Sequence, residues 1–272
     1  PKTYTVLKSL QRKMHNVLRR MKTFTLIGTP QTEEDILNIH GRTLGTNHNY
    51  LSGDYKAAKN RLFSWCSDVV ADEISYALKL TTIEKDLFMR ALTGHIFEFE
   101  NEYPKQEMGQ LMGSIVSFPV LCIINAAMSR WSMELADRRL WRLDDAPLGV
   151  NGDDVVIRSD KSVYDLSFKI TKTCGLEESV GKTFVSREWL TINSTMYERT
   201  KQPFRVLCER RVRYKNTFVT EEFFRESSLK EVSYVSMRLL HGRNRSAGTF
   251  GAESLRRGVT FGSRARDLLR FC

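Results

Sequence analysis

Between Leu148 and Ile157 two short apolar runs are broken by Asn151-Gly152-Asp153-Asp154, and no other stretch narrows the possible folds as much. Strand-forming residues on either side of an Asn-Gly pair predict a β-hairpin. An Asn-Gly turn by itself is ordinary. Two adjacent carboxylates between Val150 and Val155-Val156-Ile157 are less so, because they repel each other unless a cation sits between them. Magnesium, a hard ion that keeps coordination places for phosphate oxygens, suits such a tip.

The surrounding pattern predicts what packs around the hairpin. Leu7, Leu10, Met14, Val17, Leu18 and Met21 recur at steps of three and four with Lys8, Arg12, Arg19 and Arg20 between them, an amphipathic basic helix. Thr32 and Asp35 form a capping-box pattern that Gly41 closes. Tyr50 to Tyr55 reads as a short strand delivering Asp54 to its end, followed by a helix over Leu62–Leu78. A second long helix is expected from Ser117 to about Trp141, with Pro119 tolerated in its first turn. Tyr164 to Cys174 reads as a helix ended by Gly175, and Phe184 to Ile192 as a strand. This order predicts an α+β fold, a split βαβ antiparallel sheet with helices on one face. Such a topology brings Asp54, otherwise a simple turn residue, beside the hairpin tip. Two carboxylates from different elements can then hold a pair of ions about 3.5–4 Å apart, as phosphoryl transfer requires. The small-residue loop from Gly109 to Ser117 is either a tight turn with a serine cap or a place where amides and hydroxyls meet a nucleotide or template backbone. Asn125, two turns along the same helix, can bond a ribose hydroxyl or satisfy buried backbone.

Composition and charge exclude several classes. With 272 residues, 41% hydrophobic, 27% charged and 6 Pro, the chain is neither collagen-like nor disordered, and one large or two small domains are expected. The five cysteines (Cys66, Cys122, Cys174, Cys208, Cys272) are widely spaced and contain no C-x-x-C pair, which argues against a disulfide scaffold or zinc ribbon and for a reducing compartment. The most apolar stretch, Val116 to Met128, is too short to span a bilayer. Residues 1–32 hold seven Lys/Arg and no acid, residues 33–200 hold 19 basic and 25 acidic, and residues 201–272 hold 16 basic and 7 acidic, so the net +10 divides into +7, −6 and +9. Two basic ends that favour phosphate backbones flank an acidic middle that favours divalent metal.

Taken together, Gly53-Asp54-Tyr55-Lys56-Ala57-Ala58, then Gly109 to Asn125 with Gly-Gln-Leu-Met-Gly-Ser-x-x-Ser-Phe-Pro, then Asn151-Gly152-Asp153-Asp154, resemble motifs A, B and C of viral RNA-dependent RNA polymerases in their order. The likeness is greatest to the ourmia-like polymerases of the botourmiavirus group. Gly181 to Arg187, followed by Ile192-Asn193-Ser194, is similar to the family's D and E region, so the resemblance spans about residues 2–200. It implies a right-hand polymerase palm at residues 51–200, with a finger insertion at about 80–108. Residues 1–50 would be a fingers remnant and residues 201–272 a basic, helical thumb. Asp54 and Asp153 would bind two Mg²⁺ ions, which Mn²⁺ can replace, with the Asp154 of the Gly152-Asp153-Asp154 (GDD) motif as auxiliary ligand. Lys182 would protonate the leaving pyrophosphate. Asn60, Gly113, Ser114, Ser117, Asn125 and Gly152 would shape the nucleotide and template pocket. The implied partners are RNA template and product and nucleoside triphosphates, in the host cytoplasm.

The chain departs from the family pattern in two places. Asn60, preceded by Lys59, stands where a second motif A aspartate is usual, and Leu121 stands where motif B often has its asparagine, so that role passes to Asn125. The basic motif F that grips the triphosphate is expected upstream of this chain, which would make it a fragment. Two alternatives remain at this level. A reverse transcriptase shares the palm geometry but usually carries an aromatic residue or Ala where Asn151-Gly152 stand. A catalytically silent basic RNA-binding module is compatible with Asn60.

Overall fold

The computed structural model describes residues 2–232 apart from positions 26, 29, 30, 43, 46, 112, 180, 181, 213 and 214, with the backbone alone at residue 2 and residues 200–228. The expectations for Met112, Gly181 and residues 233–272 lie outside the described residues.

Helix α1 (Lys2–Leu18) buries Leu7, Met14 and Leu18, the apolar stripe read from its spacing. A 3₁₀ turn (Lys22–Phe24) leads to α2 (Glu33–His40), where Thr32 and Asp35 complete the capping box and Gly41 ends the helix. Strand β1 (Asn49–Gly53) precedes α3 (Ala58–Arg61), α4 (Ser64–Ala77) and α5 (Thr82–Arg90). The long α6 (Ser117–Asp137) follows, with Pro119 inside its first turn. Next come the hairpin strands β2 (Leu148–Asn151) and β3 (Asp154–Ser159), then α7 (Lys161–Thr173).

The expected strand at 184–192 is two strands in different sheets, β4 (Phe184–Ser186) and β5 (Trp189–Ile192). The Ser186 hydroxyl accepts the Glu188 and Trp189 amides, each at 3.1 Å, and turns the chain between them. Beyond lie β6 (Thr195–Val212) and β7 (Lys215–Val232), an antiparallel pair. The expected helical thumb is therefore corrected over residues 201–232. Val206, Val212, Thr217, Phe218, Val219, Thr220, Phe223 and Phe224 make this stretch rich in strand-favouring types.

The central sheet has the order β2-β3-β1-β4, with antiparallel pairing throughout. Its side chains alternate between two cores, as strand geometry demands. Leu51, Leu148, Val150, Val155 and Ile157 pack with α1, α4, α6 and α7. Tyr50 and Val156 face the other way, against Ile36 and Leu37 of α2 and Leu190 and Ile192 of β5. The expected layer of helices on one face is present, but the opposite face is covered as well, by α2 and the β5-β6-β7 sheet. Val156 and Ile157 are both fully buried, and each such side chain contributes about 1.5–3 kcal/mol relative to exposure. The hairpin is thus anchored from both sides, and only its tip is free to do chemistry. None of the helices among the described residues is long and apolar enough to cross a membrane.

Candidate active site

Register fixes the tip. Val150 pairs with Val155 and Asn151 with Asp154, which leaves Gly152-Asp153 as a two-residue turn with Gly152 at φ +70°. On the neighbouring strand Gly53 pairs with Val155, so Asp54 leaves β1 level with Asp154. Two carboxylates a hundred residues apart in sequence thereby meet at the ends of adjacent strands.

The Asp54 backbone is locked by the segment after α7. Its N–H donates to the Thr183 hydroxyl (3.2 Å), and its carbonyl accepts from the same hydroxyl (3.0 Å) and from the Ser179 amide (2.8 Å). That segment also carries Lys182, whose Nζ lies 2.8 Å from Asp54 Oδ2. Asp54, the two hairpin carboxylates and Lys182 interact electrostatically. The Asp54 carboxylate, then Asp154 and Asp153, hold the Lys182 ammonium above its ordinary range. Asp154 is pushed up to about 6, first by burial, then by Asp153 and Asp54; the Asn193 amide, donating to its Oδ2 at 3.1 Å, and Lys182 act in the opposite direction.

Helix α6 supports the tip from beneath. Asn125 is fully buried; its Nδ2 donates to the carbonyls of Gly152 (3.1 Å) and Asp153 (3.3 Å), and its Oδ1 accepts from the Tyr55 hydroxyl (3.2 Å). The Gly152 amide donates to Cys122 Sγ at 3.2 Å. The Phe118 ring stands 3.1 Å from where a Gly152 Cβ would be, so even a methyl group would press on it. Phe118, Cys122 and Asn125 follow one another at steps of four and three, one face of the helix.

These contacts revise two expectations. Asn125, expected to meet the ribose, has its amide engaged in tying Tyr55 to the tip. Ser117, expected to line the pocket, is buried with its hydroxyl donated to the Ser114 carbonyl at 2.9 Å. Gly152, also expected at the pocket, is buried against Phe118, whereas the remaining three are more accessible. Asn60 on α3 is exposed, Gly113 is exposed with nothing within 4 Å of a Cβ, and Ser114 is half-buried. Asn60 and the loop are neighbours because the Gly109 amide donates to the Leu62 carbonyl (2.7 Å) and Gln110 to that of Lys59.

Reasoning on the sequence alone missed Tyr55, Phe118, Cys122, Thr183 and Asn193. The signal for Phe118 and Cys122 was present in their helical spacing from Asn125. That for Thr183 and Asn193 was not, because their roles depend on which loops meet.

The donors at the tip are carboxylate oxygens, crowded enough to raise one carboxyl, with a lysine ammonium already drawn in. That set fits a hard divalent cation. Among the described residues no group of three or more His, Cys, Asp or Glu side chains is placed to hold a metal ion.

No family model matches the sequence. The chain is similar to the RNA-dependent RNA polymerase of Ourmia melon virus (isolate Melon/Iran/VE9), 29% identical over 280 residues that cover 94% of this chain. It spans only 30% of that relative's length. Among solved structures it is similar to the RNA-dependent RNA polymerase of a human picobirnavirus, with a TM-score of 0.55 and 14% identity over 69% of this chain and 36% of that one. The insertion loop deletion mutant of that polymerase gives the same TM-score and identity over 70% of this chain and 37% of the other. The BmCPV RNA-dependent RNA polymerase at elongation state matches with a TM-score of 0.52 and 9% identity over 72% of this chain and 19% of that one. At such identities the structural likenesses are likenesses of fold.

Proposed function

We propose that this chain carries the catalytic centre of a viral RNA-directed RNA polymerase, which joins a nucleoside triphosphate to an RNA 3′-hydroxyl on an RNA template in the host cytoplasm. The observation that carries this reading is the meeting of Asp54 with the Gly152-Asp153-Asp154 tip at adjacent strand ends, with Lys182 on Asp54. The similarity to the Ourmia melon virus polymerase over 94% of the chain supports it.

In this reading residues 51–200 are the palm, with the finger insertion at about 80–108. Residues 1–50 are fingers-adjacent, and residues 201–272 take the place of the thumb. Asp54 and Asp153 would hold Mg²⁺, or Mn²⁺ in its place, with Asp154 as an auxiliary ligand. The bound ions neutralise charge on the reacting phosphate. The protein's own part is positioning. Asn125, Cys122 and Phe118 keep the tip in one conformation, and Thr183 and Ser179 fix the Asp54 backbone. Lys182, its ammonium kept charged by the carboxylates around it, supplies a proton to the leaving pyrophosphate. The exposed Asn60 and Gly113 and the half-buried Ser114 would face the incoming nucleotide and template.

The test is extension of a primed RNA by the chain supplied with an upstream fingers segment, comparing wild type with Asp153→Asn. The expected result is metal-dependent synthesis that falls on the order of a thousandfold in the variant with RNA affinity unchanged. Equal synthesis by both proteins overturns the assignment of Asp153. RNA binding without synthesis by either protein establishes the silent binding module instead.

A further inference from the structure

Two thiols meet where α4 begins and α7 ends. Cys66 lies in the first turn of α4 and Cys174 follows the last turn of α7, and both are free and buried. The Phe63 backbone holds them together, since its carbonyl accepts the Cys66 amide at 3.0 Å and its amide donates to the Cys174 carbonyl at 2.9 Å. The side chains complete the contact with a hydrogen bond between the two sulfurs. That bond holds the Cys174 thiol down, to about 7, while the same bond and then burial push Cys66 up. Cys122, beneath the tip, is pushed up to about 12 by burial. The ionised, reactive form is therefore concentrated at Cys174. Phe63, Trp65 and Thr173 beside the pair are exposed, and both cysteines sit at helix ends, which fray first.

The chain that follows Cys174 runs back to the carboxylates. A Cβ on Gly175 would stand 2.5 Å from the Arg61 carbonyl oxygen, and the Arg61 guanidinium pairs with Glu177. The Lys56 amide donates to the Glu177 carbonyl at 2.8 Å, Tyr55 forms a β-bridge with Glu178, and the Ser179 amide reaches the Asp54 carbonyl at 2.8 Å. This strip has the thiol pair at one end and Asp54 with Lys182 at the other.

We propose that Cys66 and Cys174 form a site of reversible oxidation by hydrogen peroxide, whose product, a disulfide from α4 to the end of α7, displaces the strip that fixes Asp54 and Lys182. The Cys174 thiolate attacks one peroxide oxygen; the O–O bond breaks and hydroxide leaves, taking up a proton, to give a sulfenic acid and water. The Cys66 sulfur then attacks the sulfenic sulfur, the S–S bond forms, and a second water leaves with the Cys66 proton. The two sulfurs together lose two electrons and the peroxide gains them. Such a transient, redox-sensing disulfide belongs to a reducing compartment. Drawing the sulfurs from hydrogen-bond contact to bonding distance pulls the end of α7 toward α4, and a displacement of about 1 Å at reacting groups can cost about a hundredfold in rate. The effect on synthesis rests on the polymerase reading; formation of the disulfide does not.

The experiment exposes the 272-residue chain to hydrogen peroxide, blocks the remaining thiols with N-ethylmaleimide under denaturing conditions and maps the peptides by mass. The expected product is a peptide pair joining Cys66 to Cys174, with Cys122 blocked and the link lost after dithiothreitol. Recovery of Cys66 and Cys174 both blocked, as separate sulfinic acids, or linked to Cys208 or Cys272 overturns the site. Primer extension by the chain supplied with an upstream fingers segment reads the consequence. Peroxide should lower wild-type synthesis on the order of tenfold and dithiothreitol should restore it, while Cys174→Ser keeps its synthesis in peroxide. A mapped disulfide with synthesis unchanged overturns the displacement, as does an equal loss in wild type and Cys174→Ser. Urea midpoints check that the variant is folded, and Cys174→Ala replaces it if it is not. Absence of synthesis by the reduced wild type counts against the polymerase reading, and the peptide map still decides the oxidation site.

Discussion

The hairpin tip at Gly152 and the small-residue loop from Gly109 to Ser117 look alike in sequence, since both are glycine turns beside candidate site residues. The structure builds them in opposite ways. The tip is enclosed: the Gly152 amide and carbonyl and the Asp153 carbonyl bond α6, and the Phe118 ring of α6 stands 3.1 Å from where a Gly152 Cβ would be. The loop is fixed at its base and open further on, where Gly113 has no neighbour within 4 Å of a Cβ. The difference separates two tasks. Groups that must hold a cation have to be rigid before substrate arrives, whereas a surface that receives substrates of several shapes need be held only at its root.

The sharpest way to break this contrast lies within the loop itself. Gly109 has φ +84°, and a Cβ there would stand 2.6 Å from the Lys59 carbonyl oxygen and 2.9 Å from that of Asn60. Both neighbours are backbone and cannot swing aside. Gly109→Ala should therefore destabilise the chain by about 3 kcal/mol or more, combining left-handed strain with overpacking. Gly113→Ala, with open space and an ordinary φ, should stay within about 0.5 kcal/mol. Urea denaturation of the two variants checks the pair. Equal costs would mean that the loop is not anchored at Gly109.

The tip predicts a somewhat smaller effect spread over more bonds. Asn125→Ala leaves the Gly152 and Asp153 carbonyls and the Tyr55 hydroxyl without their partner in a fully buried place, and should destabilise by about 2–3 kcal/mol. Tyr55→Phe removes only one hydroxyl from the same bridge and should cost about 1 kcal/mol. Denaturant midpoints measure both. A loss in Asn125→Ala no larger than that in Tyr55→Phe would show that the tip does not depend on α6.

What was legible in the sequence follows the same division. Strand alternation placed β1 and the hairpin, and with them Asp54 beside Asp154, because local periodicity and turn chemistry determine those elements. Helix spacing placed α1, α4, α6 and α7 for the same reason. The break at Arg187–Glu188 escaped notice because it depends on one serine hydroxyl turning the chain between two sheets. The capping box at Thr81–Glu84 that starts α5 was readable and was missed. Asn125 and Ser117 were assigned to substrate because their chemistry permits it. The engagement of Asn125 with the tip depends on what packs against α6, which the sequence pattern does not encode, whereas the Ser117 bond to Ser114 is local, three residues apart. The long β6–β7 hairpin lay in the region placed only by position, where no motif guided the reading.

The smallest expected effect tests whether the open side of the tip is strained while its α6 side is satisfied. Asp154 has its carboxyl raised to about 6 from an ordinary 3.8, by burial first and then by Asp153 and Asp54. A raised acid binds its proton more tightly folded than unfolded. The stability this contributes is fully present below about pH 4 and is lost as pH rises through about 6. Above that range the ionised carboxylate opposes folding. Asp154→Asn keeps an oxygen to accept the Asn193 amide but removes the charge, so it should raise the melting midpoint at pH 8, on the order of 2–4 °C, and leave it nearly unchanged at pH 4. Added Mg²⁺ should raise the wild-type midpoint at pH 8 more than that of the variant, since the cation relieves the repulsion the substitution has already removed. If the variant is no more stable at pH 8 than at pH 4 relative to wild type, the carboxylates do not strain the fold. The tip would then differ from the loop in packing alone, not in charge.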